Sequence, residues 1–142
     1  MYFSDSGDKK LMKYDYDIET GKPSNGTVFV DFAERGYEGI ADGATVDTKG
    51  GIWVANFGGG RVIRFDPVSA ELTYEVIVPG CSTPTCPAIG GKDLDTLFIT
   101  AHGSFKTKEE MEKGGPEENA GMLFKFKLPE EYRGIEEPFF NY

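Results

Sequence analysis

Three six-residue runs in this chain are near copies of one another, and no other feature constrains the fold as strongly. Met1-Tyr2-Phe3-Ser4-Asp5-Ser6, Ile52-Trp53-Val54-Ala55-Asn56-Phe57 and Leu97-Phe98-Ile99-Thr100-Ala101-His102 share one apolar pattern, at offsets of 51 and 45 residues. Each is followed by a second similar run: Leu11-Met12-Lys13-Tyr14-Asp15, Val62-Ile63-Arg64-Phe65-Asp66 and Leu123-Phe124-Lys125-Phe126-Lys127. A shorter segment precedes the second and third copies, Asp42-Gly43-Ala44-Thr45-Val46-Asp47 and Thr85-Cys86-Pro87-Ala88-Ile89-Gly90. Short aromatic and β-branched runs bounded by Gly, Pro, Asp and Asn are strand signals. Four such strands recurring every ~40–50 residues are the pattern of β-propeller blades.

The expected architecture is therefore all-β: a single partial β-propeller domain over 1–142. It holds about two and a half four-stranded antiparallel blades. The divisions are a blade part at 1–35, a blade at 40–80 and a blade at 84–142. Predicted strands cover 2–6, 10–16, 27–32, 44–47, 52–56, 62–66, 73–78, 88–90, 97–101 and 122–128. The first copy has no strand before it, so the chain is expected to start inside a blade. One short helix is predicted at 107–113, where Glu109 and Lys113 stand four residues apart. It lies in a long insertion at 102–121, which reads as a candidate lid because long loops are commonly functional.

Charge and composition narrow the partners. With 15 basic and 24 acidic residues the net charge is -9, and such a surface repels phosphate. Nucleic acid and an anionic membrane are excluded as expected partners; a small neutral ligand, or one bound through a cation, fits. No apolar run approaches 18 residues, and Met1 leads into Tyr2-Phe3-Ser4-Asp5 without a basic or apolar leader. Cys81 and Cys86 are too few for a disulfide scaffold and read as reduced thiols, which points to a cytoplasmic protein. His102 is the single histidine, so structural zinc has no second ligand pair.

Several local patterns invite chemical readings. Asp15-Tyr16-Asp17-Ile18-Glu19 resembles the start of a calcium loop, but the sixth and twelfth positions are Thr20 and Gly26 instead of Gly and Glu. A blade-edge hairpin accounts for it better. Gly58-Gly59-Gly60-Arg61 lacks phosphate-loop spacing and precedes a strand, so a tight turn is expected. His102 stands at a strand end without a Gly-x-Ser-x-Gly elbow and reads as a loop histidine, with general base as the alternative. Trp53 is expected in the core between blades. Asp42 sits where an inner strand begins: its carboxylate either points into a channel mouth or caps its own backbone.

Asp15 to Gly21, Asp42 to Asp47, Gly51 to Pro67 and Gly90 to Thr100 together resemble the C-terminal half of the gluconolactonase, regucalcin and senescence marker protein family, most specifically over 42–67. The resemblance implies a six-bladed propeller with one divalent cation at the top of the central channel. It implies calcium or zinc there, with magnesium or manganese as alternatives, and hydrolysis of a sugar lactone. The family's metal site resembles a Glu, an Asn and an Asp. The Asp matches Asp42, which the resemblance makes both metal ligand and catalytic residue, while the Asn and Glu would fall before Met1. The expected function is thus a gluconolactonase-like sugar-lactone hydrolase using the cation as Lewis acid, its site incomplete in this chain. The alternative is a non-catalytic fragment, or a calcium-binding or interaction protein of the same fold. Partners expected are a small-molecule lactone and a second copy, self-associating through exposed blade faces.

Overall fold

The computed structural model describes residues 1–103 and 117–136. Among them are ten strands and no helix; the helix expected at 107–113 lies outside the described residues. The strands are β1 (Tyr2–Asp5), β2 (Lys10–Asp17), β3 (Lys22–Asp31), β4 (Ile40–Val46), β5 (Ile52–Phe57), β6 (Arg61–Phe65), β7 (Leu72–Ile77), β8 (Pro84–Gly90), β9 (Thr96–Ala101) and β10 (Leu123–Lys127). They form three antiparallel sheets, ordered β1-β2-β3, β4-β5-β6-β7 and β8-β9-β10. These are the blades of a partial propeller, numbered one to three below.

Alternation along each strand builds two cores, one on each side of blade two. Leu11, Val30 and Phe32 of blade one pack against Ile52, Val54, Ile63 and Phe65. On the other side Trp53, Val62 and Val76 meet Leu97, Ile99 and Leu128. Strand β5 serves both cores, and Ile52 through Ala55 are all fully buried. That is why it reads as an unbroken apolar run instead of an alternating one.

All ten predicted strands exist, but three begin four or five residues earlier than the sequence suggests. β3 starts at Lys22 instead of Thr27, and β4 at Ile40 instead of Ala44; β8 starts at Pro84 instead of Ala88. In each case the pairing carries an irregularity: the registers slip between Lys13 and Asp15 of β2, between Ala41 and Ala44, and between Pro84 and Cys86. Glycine and proline at these places read as strand breakers, whereas the strand absorbs them as bulges.

The segment after β10 turns back beneath blade two. Tyr132 lies with its ring 5.5 Å from that of Trp53 and 4.5 Å from the Arg64 guanidinium carbon. Gly134 bridges to Asp47, and the Thr48 amide donates to the Arg133 carbonyl. This backbone clasp ties blades two and three at the end of the sheets opposite Asp42.

Candidate functional site

Asp42 lies within β4, not at its start. The pairing runs from Ala41–Asn56 to Ala44–Val54, so Asp42 and Gly43 together face the single residue Ala55. Such a bulge re-aims the side chain it carries. Asp42 is half-buried and lines a cleft of about 350 Å³ with Tyr2, Phe3, Ser4, Ser6, Leu11, Gly43 and Ala44. Partial burial raises its carboxyl above the ordinary aspartate range, while the Gly43 N–H bond pulls the other way. No Lys or Arg pairs with it among the described residues.

Blade one holds the bulge in place. The Ser4 hydroxyl donates to the Asp42 carbonyl at 2.5 Å, and the Ser6 hydroxyl donates to the Ala41 carbonyl at 2.7 Å. Both bonds reach across the blade boundary to carbonyls at the start of the bulge. Cys86 approaches from the other side: a Cβ placed on Gly43 would lie 2.7 Å from its sulfur. Cys86 keeps much of its surface exposed, yet partial desolvation and then the Asp42 charge push its thiol up. Neither cysteine forms a disulfide; Cys81 is buried and Cys86 exposed.

Asn56, opposite Ala41 at this same end, is fully buried, and among the described residues neither its amide nitrogen nor its oxygen has a hydrogen-bond partner. The side chain of Gly59 would strike that amide, at 2.0 Å, if it had a Cβ. Strand topology alone places Ser4 to Asp8 and Asn56 to Gly60 at the Asp42 end, but the sequence assigns Ser4, Ser6 and Asn56 no part there and reads Cys86 only as a reduced thiol. Their neighbours come from other strands, and a Ser in Phe-Ser-Asp-Ser looks like any exposed turn residue.

The remaining candidates are accounted for by the fold. Asp17 caps the β2–β3 turn, accepting from the Glu19 and Thr20 amides, as a hairpin requires. Gly58 and Gly60, at φ of 89° and 66°, make the β5–β6 turn, and both amides donate to the Ser82 carbonyl. They are therefore not open to a phosphate. His102 stacks edge-on against Phe57, 5.9 Å between ring centres, and does not line the Asp42 cleft. The insertion is described only at 102–103 and 117–121.

Hard divalent cations take about six or more oxygen ligands, usually with several carboxylates or waters. The Asp42 cleft holds one carboxylate. Among the described residues no group of three or more His, Cys, Asp or Glu side chains converges. The described residues therefore offer a cation one carboxylate here, Asp42, and do not close a site around it.

Comparison with known proteins gives a consistent picture. The profile of the SMP-30/Gluconolactonase/LRE-like region matches residues 1–103. A putative sugar lactone lactonase, YvrE, of Bacillus subtilis is 36% identical over 128 residues, covering 90% of this chain and 42% of the relative. Regucalcin of Danio rerio is 37% identical over 124 residues, covering 87% and 40%. The crystal structure of a calcium-binding protein, regucalcin, from Agrobacterium tumefaciens superposes with a TM-score of 0.82 at 29% identity, covering 99% of this chain and 45% of that one. The chain spans less than half the length of the relatives it matches.

Proposed function

Because the chain belongs to the SMP-30/gluconolactonase/LRE-like family, we propose that it contributes the Asp42 side of a sugar-lactone hydrolase site using one divalent cation. The observation carrying this reading is the bulge that turns Asp42 into a cleft where, among the described residues, no cationic side chain pairs with it. A desolvated carboxylate in that position gains most from a bound metal ion. Calcium or zinc fits, with magnesium or manganese as alternatives. The cation would supply positive charge to the ester carbonyl oxygen and lower the pKa of bound water. Asp42 would hold it, and Ser4 and Ser6 would fix the backbone from which Asp42 projects.

A second reading, a non-catalytic or calcium-binding protein of the same fold, is favoured by the single carboxylate in the cleft. The test joins the preceding blades of the Bacillus relative to residue 1 of this chain. Metal-dependent acid release from gluconolactone, lost in Asp42→Ala with the β-rich circular dichroism unchanged, is the expected result. Cation affinity by calorimetry that is unchanged in Asp42→Ala would remove Asp42 from the site. Cation binding that needs Asp42 but yields no hydrolysis would favour the second reading. The 142-residue chain alone is expected to release no acid above buffer with any of the four metals.

A further inference from the structure

Among the described residues, three buried side-chain polar atoms have no hydrogen-bond partner: Nδ2 and Oδ1 of Asn56 and Nε of Arg61. The three belong to one place. Asn56 and Arg61 are direct cross-strand partners on β5 and β6. That relation sets their Cβ atoms about 5 Å apart on one face of the sheet.

The face is the one toward blade one. Asn56 continues the alternation of Ile52 and Val54 along β5, and Arg61 that of Phe65 and Ile63 along β6. All four of those apolar residues belong to the core shared with blade one. The orphaned atoms therefore lie at a blade boundary whose two sides are both described. Around them, Ala41 pairs with Asn56 from β4, and the Gly59 backbone lies against the Asn56 amide. The Tyr37 ring centre is 5.3 Å from the Arg61 guanidinium carbon. Arg61 Nη1 is engaged by Glu75 at 2.8 Å, so only the inner end of the guanidinium is left over.

The donor and acceptor inventory selects what can fill the gap. Asn56 Nδ2 and Arg61 Nε donate, whereas Asn56 Oδ1 accepts. A cation would meet two donors, and a simple anion would meet the acceptor oxygen. Water both accepts and donates, and an internal water makes about three hydrogen bonds to otherwise unsatisfied buried groups. Full burial of Asn56 excludes a ligand much larger than water. We propose that Asn56 and Arg61 form a binding site for internal water, which accepts from Arg61 Nε and donates to Asn56 Oδ1. The site lies behind the Asp42 bulge: Asn56 is paired with Ala41, whose carbonyl also takes the Ser6 hydroxyl. The bound water thus ties the β5–β6 turn and the first residues of β4 to one enclosed polar point. The proposal is independent of lactone hydrolysis, since the Asp42 side chain takes no part in it.

Oxygen-17 magnetic relaxation dispersion of the 142-residue chain tests it, because it counts waters held for longer than the protein takes to tumble. Asn56→Leu has the same branched shape and no hydrogen-bonding group, and should lose at least one such water per chain. Arg61→Lys keeps a positive charge for Glu75 but has no Nε–H, and should lose it as well. Ile63→Leu, an apolar exchange in the same core, should leave the count unchanged. A crystal structure should show the water within about 3.2 Å of both Arg61 Nε and Asn56 Oδ1. If circular dichroism shows Asn56→Leu unfolded, Arg61→Lys and the crystal structure decide. An unchanged count in the folded variants, or an equal fall in Ile63→Leu, would overturn the proposal. So would a crystal structure in which Arg61 Nε bonds Asn56 Oδ1 directly. A raised urea midpoint in Asn56→Leu would overturn it too, because removing an amide that is truly unpaired is stabilising.

Discussion

Asp47 is 1% exposed and stands between an arginine, an indole and two backbone amides. Arg64 Nε donates to one carboxylate oxygen at 2.6 Å, Trp53 Nε1 to the same oxygen at 2.9 Å, and the Gly51 and Lys49 amides to the other, each at 2.9 Å. Burial acts to raise the carboxyl, but the bonds from Arg64, Trp53 and Gly51 and the Arg64 charge outweigh it, so it titrates below the ordinary range. A depressed folded value contributes stability that is complete above the unfolded aspartate value of ~3.9 and is lost as pH falls through the folded one. The urea midpoint is therefore expected to fall from about pH 4 downward. Arg64→Met should lower stability by about 3–5 kcal/mol, since it leaves a buried carboxylate without its counter-charge. The same variant should show a flatter acid dependence, and an unchanged acid slope would remove Asp47 as its source.

At the scale of elements, bulges decide where the strands run and where Asp42 points. Gly43 permits the bulge of β4 to lie against β8: an added Cβ would be 2.7 Å from the Thr85 carbonyl oxygen, a backbone atom with little freedom to retreat. Gly43→Ala is expected to cost about 1–3 kcal/mol in urea unfolding, the range for overpacking. A neutral substitution would mean that β4 and β8 separate readily at this end. The repeat made eight of the ten strands legible, and local aromatic and β-branched runs the other two, β3 and β7, because burial imposes its period on the apolar residues whatever the loops do. The starts of β3, β4 and β8 were not legible: a bulge absorbs the glycine or proline that local reasoning takes as a stop. Asp42 was singled out only through family resemblance, its own sequence context being equally that of a capped turn. The pairing of Ser4 with the Asp42 carbonyl spans 38 residues, and Arg64 reaches Asp47 across 17. Such partners are set by blade packing and leave no local signature.

Over the whole molecule, protection should follow the two cores. Hydrogen exchange is expected to be slowest in β5 and β9, which lie at the centres of their sheets with Ile52–Ala55, Leu97 and Ile99 buried. It should be fast at the outer tip of blade one, where residues 22–28 of β3 are all exposed. Mass spectrometry of exchanged peptides checks this, and equal protection at 22–28 and 52–55 would contradict the two-core account. The double duty of β5 also bears on how the chain tolerates sequence change. A strand with one wet face offers every second position to polar residues without loss. From Ile52 to Asn56 there is no such position, since both faces lie against packed neighbours. In a saturation library these five consecutive codons would form an unbroken stretch intolerant of charge, and drift over the first four, Ile52 to Ala55, would be confined to exchanges of one apolar shape for another.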